Sequence, residues 1–194
     1  MTANKLVKEK EYMMLREEIM YIQKRRESII QHTYTVGIAL FAAAFASKIS
    51  WINLCILPYL ISASLKATEC GNSLGYLASY MEVFLEESID IKWETNNHKY
   101  AKNYPKKGFR WLQHFIGRCD FLCLAIISCF LFWLMRDFSF EIYGRLLYGI
   151  VLLVIQAIVI VFEMYLSFYY SNYATHKNKT WNNWEWIKEN DKPN

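Results

Sequence analysis

The run LLYGIVLLVIQAIVIVF, Leu146 to Phe162, holds one Gln and no ionised side chain in 17 residues. A helix built from it is apolar on every side, which suits a bilayer span or the centre of a large soluble core. In a chain of 194 residues a core wide enough to enclose it is hard to assemble, so the run points to a membrane.

Composition agrees: 54% of residues are hydrophobic and 17% aromatic, with only 3 Pro and 7 Gly. The apolar residues gather in two blocks, Tyr34 to Leu65 and Phe121 to Tyr170. About 20 apolar residues cross a bilayer core as a helix, so each block suits two spans. The expected fold class is all-α, an integral membrane protein with four transmembrane helices near Thr33 to Ile49, Trp51 to Leu65, Phe121 to Met135 and Leu146 to Leu166. The segments are then an amphipathic arm helix (1–32), a first transmembrane hairpin (33–66), a stalk that extends the second span plus an interfacial segment (67–118), a second hairpin (119–170) and a tail (171–194). The first three spans are short, and a soluble helical bundle is the alternative.

Lys and Arg number seven in the arm, one between the first two spans, eight in the middle segment, two between the last spans and four in the tail. Cytoplasmic loops carry the excess of these residues, so both termini and the middle segment are expected on the cytoplasmic side. The first 30 residues mix seven basic and five acidic side chains, unlike a secretory signal. Cys55, Cys70, Cys119, Cys123 and Cys129 lack metal-ligand spacing and read as reduced, apolar thiols. The sequon at Asn178 falls in the cytoplasmic tail, where no glycosylation is expected.

From Asn4 to Ser47 there is no proline and a single glycine, Gly37, so arm and first span can form one helix. In the arm Tyr12, Leu15, Ile19, Ile22 and Ile29 make a seam that fits either another helix of the chain or a coiled coil with a second copy. Pro58 should bend the second span or be accommodated by its neighbours. Beyond it a helix from Trp51 to Glu87 would reach about 55 Å at 1.5 Å per residue, longer than the hydrocarbon is thick. Ser64, Ala67, Gly71, Gly75 and Ala78 place small residues at spacings of three and four along this stalk, and Ala39, Ala43 and Ser47 do so in the first span. Such stripes let helices approach closely, within a chain or between copies. Phe109, Trp111, Leu112, Phe115 and Ile116 beside Arg110, His114 and Arg118 suit a short helix at the membrane surface. Trp181, Trp184 and Trp186 read as an interfacial anchor or a cap on the stalk.

The stretch YMEVFLEESIDIKWET carries the strongest candidate for chemistry, a cytoplasmic acidic motif of Glu82, Glu86, Glu87, Trp93 and Glu94 with Asp90 between them. Glu82 and Glu86 share a helix face, so a carboxylate pair for acid/base work is conceivable. Nothing completes such a site. The four histidines (His32, His98, His114, His176) stand singly, and no metal-ligand spacing, nucleophile arrangement or phosphate loop occurs. A solvated helix face beside Lys92, Lys99, Lys102, Lys106 and Lys107 is the plainer reading. No cofactor is expected. The basic run suits anionic lipid headgroups, whereas its acidic interruptions and a net charge of +4 argue against nucleic acid.

Glu163 is the acidic residue embedded in the fourth span, near its cytoplasmic end, where it is expected either to pair with Lys66 or Arg118 or to reach the interface as a lone carboxylate. Gln156 is the one polar candidate at mid-membrane, too few for a solute path.

LREEI in the arm, HTYTVGIALFA in the first span, the proline-bearing second span, YMEVFLEE and WET resemble a group of uncharacterised small bacterial multi-span membrane proteins with an aromatic-x-x-Val-Phe-Leu-Glu, then Trp-Glu, pattern. The likeness covers residues 11 to 95 and implies the bacterial cytoplasmic membrane. It carries over no residue role. In size and layout the chain is also similar to membrane components of bacterial antiviral systems, which act as oligomeric pores or as anchors for cytoplasmic partners. Three classes are weighed: a non-enzymatic homo-oligomeric membrane component, channel-like or a scaffold for a cytoplasmic protein; a small-solute or ion transporter; and a membrane-bound enzyme using Glu82, Glu86 and Glu94.

Overall fold

The computed structural model describes the backbone of residues 3–96, 99, 109–135, 142–170 and 173–190, and the side chains of 5–96, 99, 119–135, 149–168 and 177–190. Every element among them is helical, and no strand occurs. Helix α1 runs unbroken through Ala3–Ser47, as the lack of proline allows, and ends at Lys48, whose φ of 59° turns the chain. A 3-10 stretch, Ser50–Cys55, leads into α2, Ile56–Tyr80. Pro58 thus falls in the first turn of α2, where no intrahelical partner for its missing N–H is required, and no kink is needed. The helix continues through a π-helical stretch, Met81–Leu85, and α3, Glu86–Ile89, until Asp90 takes the left-handed conformation (φ 60°, ψ 30°) and stops it.

A single turn, α4, covers residues 93–96. Helix α5 spans Phe109–Met135, α6 spans Ile142–Tyr165 with a π-helical end at Leu166–Tyr170, and α7 spans Tyr173–Asn190. Residues 109–118, expected as a separate surface helix, are the first turns of α5; their side chains, Arg118 included, lie outside the described residues. So do residues 100–108 of the basic run.

The chain divides into two compact units. Unit 1 comprises Met1–Glu27, Glu69–Leu112 and Asn172–Asn194; unit 2 comprises Ser28–Thr68 and Gln113–Ser171. In unit 1 the arm seam packs within its own chain: Tyr12 is buried with Met81, Leu85 and Ile89, and Leu15, Ile19, Tyr80 and Phe84 close around them. Tyr12, Leu15 and Ile19 of the seam thus pack against α2 and its extension in the same chain. Trp184 of α7 packs on the same elements, its ring 4.9 Å from Tyr76 in a tilted contact and edge-on at 5.3 Å from Tyr80 and 5.7 Å from Phe84. Of the tail tryptophans, Trp184 thus packs on α2 and its extension, whereas Trp186 is exposed.

In unit 2, Ile56, Leu57 and Leu60 of α2, Leu124, Ala125 and Cys129 of α5 and Val159 of α6 form the core, with Leu40 and Phe41 of α1 against it. α1 approaches α2 closely at Gly37, where a Cβ would stand 2.8 Å from Ile56 Cδ1. Two helices are long and apolar enough to cross a membrane, within Lys5–Ser47 and Gly149–Phe168; the apolar part of α5, Cys119–Met135, is shorter. These helices are poorly covered. Only 22% of the α6 stretch is buried, and Ile150, Leu153, Val154, Ile158 and Val161 are each more than half exposed.

Candidate functional site: a buried charge cluster in unit 1

The acidic motif and one basic residue of the tail meet in unit 1. Lys177 Nζ on α7 lies 3.1 Å from Glu82 Oε2 and 3.0 Å from Glu94 Oε2, and the three side chains are about nine-tenths or more buried. Each element positions its member for a local reason. Glu82 stands in the π-helical stretch, a widened turn that recurs at functional sites. Glu94 is delivered by α4, and Glu86 holds that turn. The Glu86 carboxylate, 1% exposed, accepts the backbone N–H of Glu94, the N–H of Thr95 at 2.9 Å and the Thr95 hydroxyl at 2.7 Å. Those are orphan donors at the start of a helical turn, and a carboxylate is their strongest acceptor. Ser79 Oγ, 2.7 Å from Gly75 O and 3.0 Å from Lys177 O, ties α7 to α2 at the backbone.

Glu82 and Glu86 thus keep different company. One meets an ammonium, the other a set of amides and a hydroxyl. Glu87 faces outward and pairs with Lys188 at 2.7 Å, whose Nζ also donates to Val83 O at 2.9 Å. The hydrogen bond from Lys188, with its charge, holds the Glu87 carboxyl below its ordinary value. Trp93 is exposed, and the Arg16 guanidinium stacks over its ring at 5.2 Å. A cavity of about 310 Å³ adjoins the cluster, lined among others by Tyr12, Arg16, Leu74, Trp93 and Glu94. Tyr12 is 2% exposed and its hydroxyl finds no hydrogen-bond partner. Burial, and next the negative charge of Glu86, push this phenol up. Among the described residues no three His, Cys, Asp or Glu side chains converge as a ligand set.

Sequence reasoning singled out the carboxylates but missed Lys177, Ser79, Thr95 and Tyr12 as their company. No local signal marks Lys177, which lies 83 residues from Glu94 and 98 from Ser79, and Thr95, although only nine residues from Glu86, is one of many hydroxyls.

The other candidate residues fall as follows. Ser64, Ala67, Gly75 and Ala78 are buried, whereas Ala39 and Ala43 are exposed and α1 turns Thr33, Gly37 and Ala44 inward instead. Gly71 faces open space, with nothing within 4 Å of an added Cβ. The expected ion pair of Glu163 with Lys66 is not formed. In unit 2 Glu163 is fully buried and accepts from Ser64 Oγ at 2.9 Å, while Lys66 is exposed. Gln156 is joined as an interior polar group by Glu163 and by Asn53 of the 3-10 stretch. Gln156 Oε1 accepts from Trp133 Nε1 at 2.8 Å, and the Asn53 backbone carbonyl accepts from the Ser128 hydroxyl.

Comparison of the chain with protein-family models, with curated proteins and with solved structures gives no match.

Proposed function

We propose that this chain is a non-enzymatic, homo-oligomeric component of a bacterial cytoplasmic membrane, a pore-like effector or a scaffold for a cytoplasmic protein, of the kind used in antiviral defence. The four proposed spans are carried by α1, the start of α2, α5 and α6, surrounded by lipids, with both termini and the segment 67–118 on the cytoplasmic side. One observation carries the reading: α6 leaves Ile150, Leu153, Val154, Ile158 and Val161 more than half exposed on a strongly apolar stretch of 20 residues. In water such a patch is a liability, and lipid is the solvent that suits it.

The charge cluster fits a structural role better than catalysis. Lys177 answers Glu82 and Glu94, and amides and a hydroxyl answer Glu86, so these carboxylates serve to fasten tail and stalk. A transporter is the second reading, favoured by the interior polar groups Asn53, Gln156 and Glu163.

Cysteines placed at the exposed positions Ser88 and Asn182 test the topology. Membrane-impermeant thiol reagents added outside intact cells should leave both unlabelled and should label both after lysis; labelling of either from outside overturns the orientation. Reconstituted protein then separates the readings. Channel-like ion flux supports a pore, saturable uptake supports a transporter, and neither, with oligomers retained, supports a scaffold.

A further inference from the structure

Glu163 has no exposed surface, on a helix whose other faces carry apolar side chains. Its Oε1 accepts from Ser64 Oγ, and no hydrogen-bond donor reaches Oε2. The Ser64 hydroxyl also lies 3.1 Å from Ile61 O, so its single proton is shared between a carbonyl and the carboxyl. An ionised carboxylate taken out of water without an opposite charge is heavily penalised, and such a group neutralises instead. Among the described residues of unit 2 nothing supplies that charge. Lys66 of α2 is exposed, Asp120 of α5 accepts from Tyr34 of α1 at 2.9 Å, and Cys119 and Cys129 of α5 are buried thiols. Seven residues before Glu163, and so on the same face of α6, Gln156 Nε2 is also buried without a partner. An acceptor lacking a donor and a donor lacking an acceptor thus share one helix face, about 10 Å apart along the axis.

We propose that Glu163 is a proton-binding site, its carboxyl carrying one exchangeable proton on Oε2 at neutral pH, with Ser64 on Oε1 and Gln156 as the next polar group along α6. The proposal rests on the membrane reading of unit 2 for its setting. Binding is the equilibrium of a carboxylate and a proton with the acid, and needs no other reactant.

The test is infrared spectroscopy of the full chain in lipid vesicles at neutral pH. Wild type should show the carbonyl-stretch band of a protonated carboxylic acid, shifted in D2O and missing from Glu163→Gln, which keeps the side-chain shape. Ser64→Ala should retain the band at a changed frequency, because the hydrogen bond to Oε1 is gone. No band sensitive to Glu163→Gln, or a band unmoved by D2O, overturns the proposal. Should the variants fold poorly, wild type alone decides through dicyclohexylcarbodiimide, a lipophilic reagent to which the acid O–H adds across a C=N bond. Mass mapping of the adduct to Glu163 supports the proposal, and adducts confined to other acids overturn it. A chain that fails to sediment with vesicles sinks the membrane reading but leaves the band readable, so the two failures are distinct.

Discussion

Lys177 Nζ and Glu94 Oε2 stand 3.0 Å apart, buried, although 83 residues separate them along the chain. With Glu82 on the same ammonium, this contact fastens α7 to the stalk. Removing one partner of a buried pair strands the other charge and costs about 3 to 5 kcal/mol. Lys177→Met is expected to lose that much of the stability of unit 1 and to speed hydrogen exchange in α7. Glu94→Gln added to Lys177→Met should recover part of the loss, because one stranded carboxylate becomes neutral. Denaturation in mild detergent checks both, and purely additive losses would refute the coupling.

Glu86→Gln should act more locally. It removes a charge that serves two backbone amides and a hydroxyl, bonds worth about 1.5 to 3 kcal/mol when one partner is charged. The expected signature is faster amide exchange at Glu94 and Thr95 with the seam around Tyr12 still protected. Glu87 gives the contrast. Its carboxyl is held below the ordinary 4.5, so its contribution is present above that pH and lost on acidification. The pair with Lys188 is exposed and screened, so Glu87→Gln should be nearly silent in ordinary salt.

Alkaline pH is expected to loosen unit 1. Burial first, then Glu86 and Glu94, push the Tyr12 phenol above 10.0, with Arg16 opposing; burial first, then the hydrogen bond to Glu11, do the same for Tyr80. The folded value lies above the unfolded one, so the unfolded chain releases these protons first. Stability present below pH 10 therefore falls as pH rises through the folded values. Because the Tyr12 hydroxyl has no partner, Tyr12→Phe should be neutral or stabilising by about 1 kcal/mol at neutral pH, and should shallow the alkaline decline. An unchanged slope in a denaturation series across the alkaline range would show that Tyr12 is not responsible.

Helices whose cause is local were legible in the sequence. The absence of proline from Asn4 to Ser47 gave α1, and uniform apolarity gave α6. Asp90 was not legible as a stop, since few signals distinguish an aspartate in the left-handed region from one on a helix face. The partners of buried charges were the least legible. Sequence logic offered Glu163 a cation, Lys66 or Arg118; Lys66 is exposed, the Arg118 side chain lies outside the described residues, and the Ser64 hydroxyl that does meet Glu163 is of a kind too common to single out. Lys177 was counted as tail charge because its partners lie far away in sequence.

Two glycines separate contacts within the chain from contacts between copies. At Gly37 an added Cβ would meet Ile56 Cδ1 at 2.8 Å, in a core where Ile56 has no exposed surface and cannot swing away. Gly37→Ala is expected to cost about 1 to 3 kcal/mol through overpacking, and Gly37→Leu to abolish the close approach of α1 and α2. At Gly71 an added side chain meets nothing within 4 Å, so Gly71→Ala should stabilise α2 by about 0.5 to 1 kcal/mol through helix propensity. Gly71→Leu should likewise leave the chain folded. Its effect on assembly then reads a contact between copies directly, because small residues at helix interfaces matter only where a second backbone approaches. Oligomers lost in detergent, with the denaturation midpoint kept, would place Gly71 in an interface between copies; oligomers retained would assign assembly to another surface.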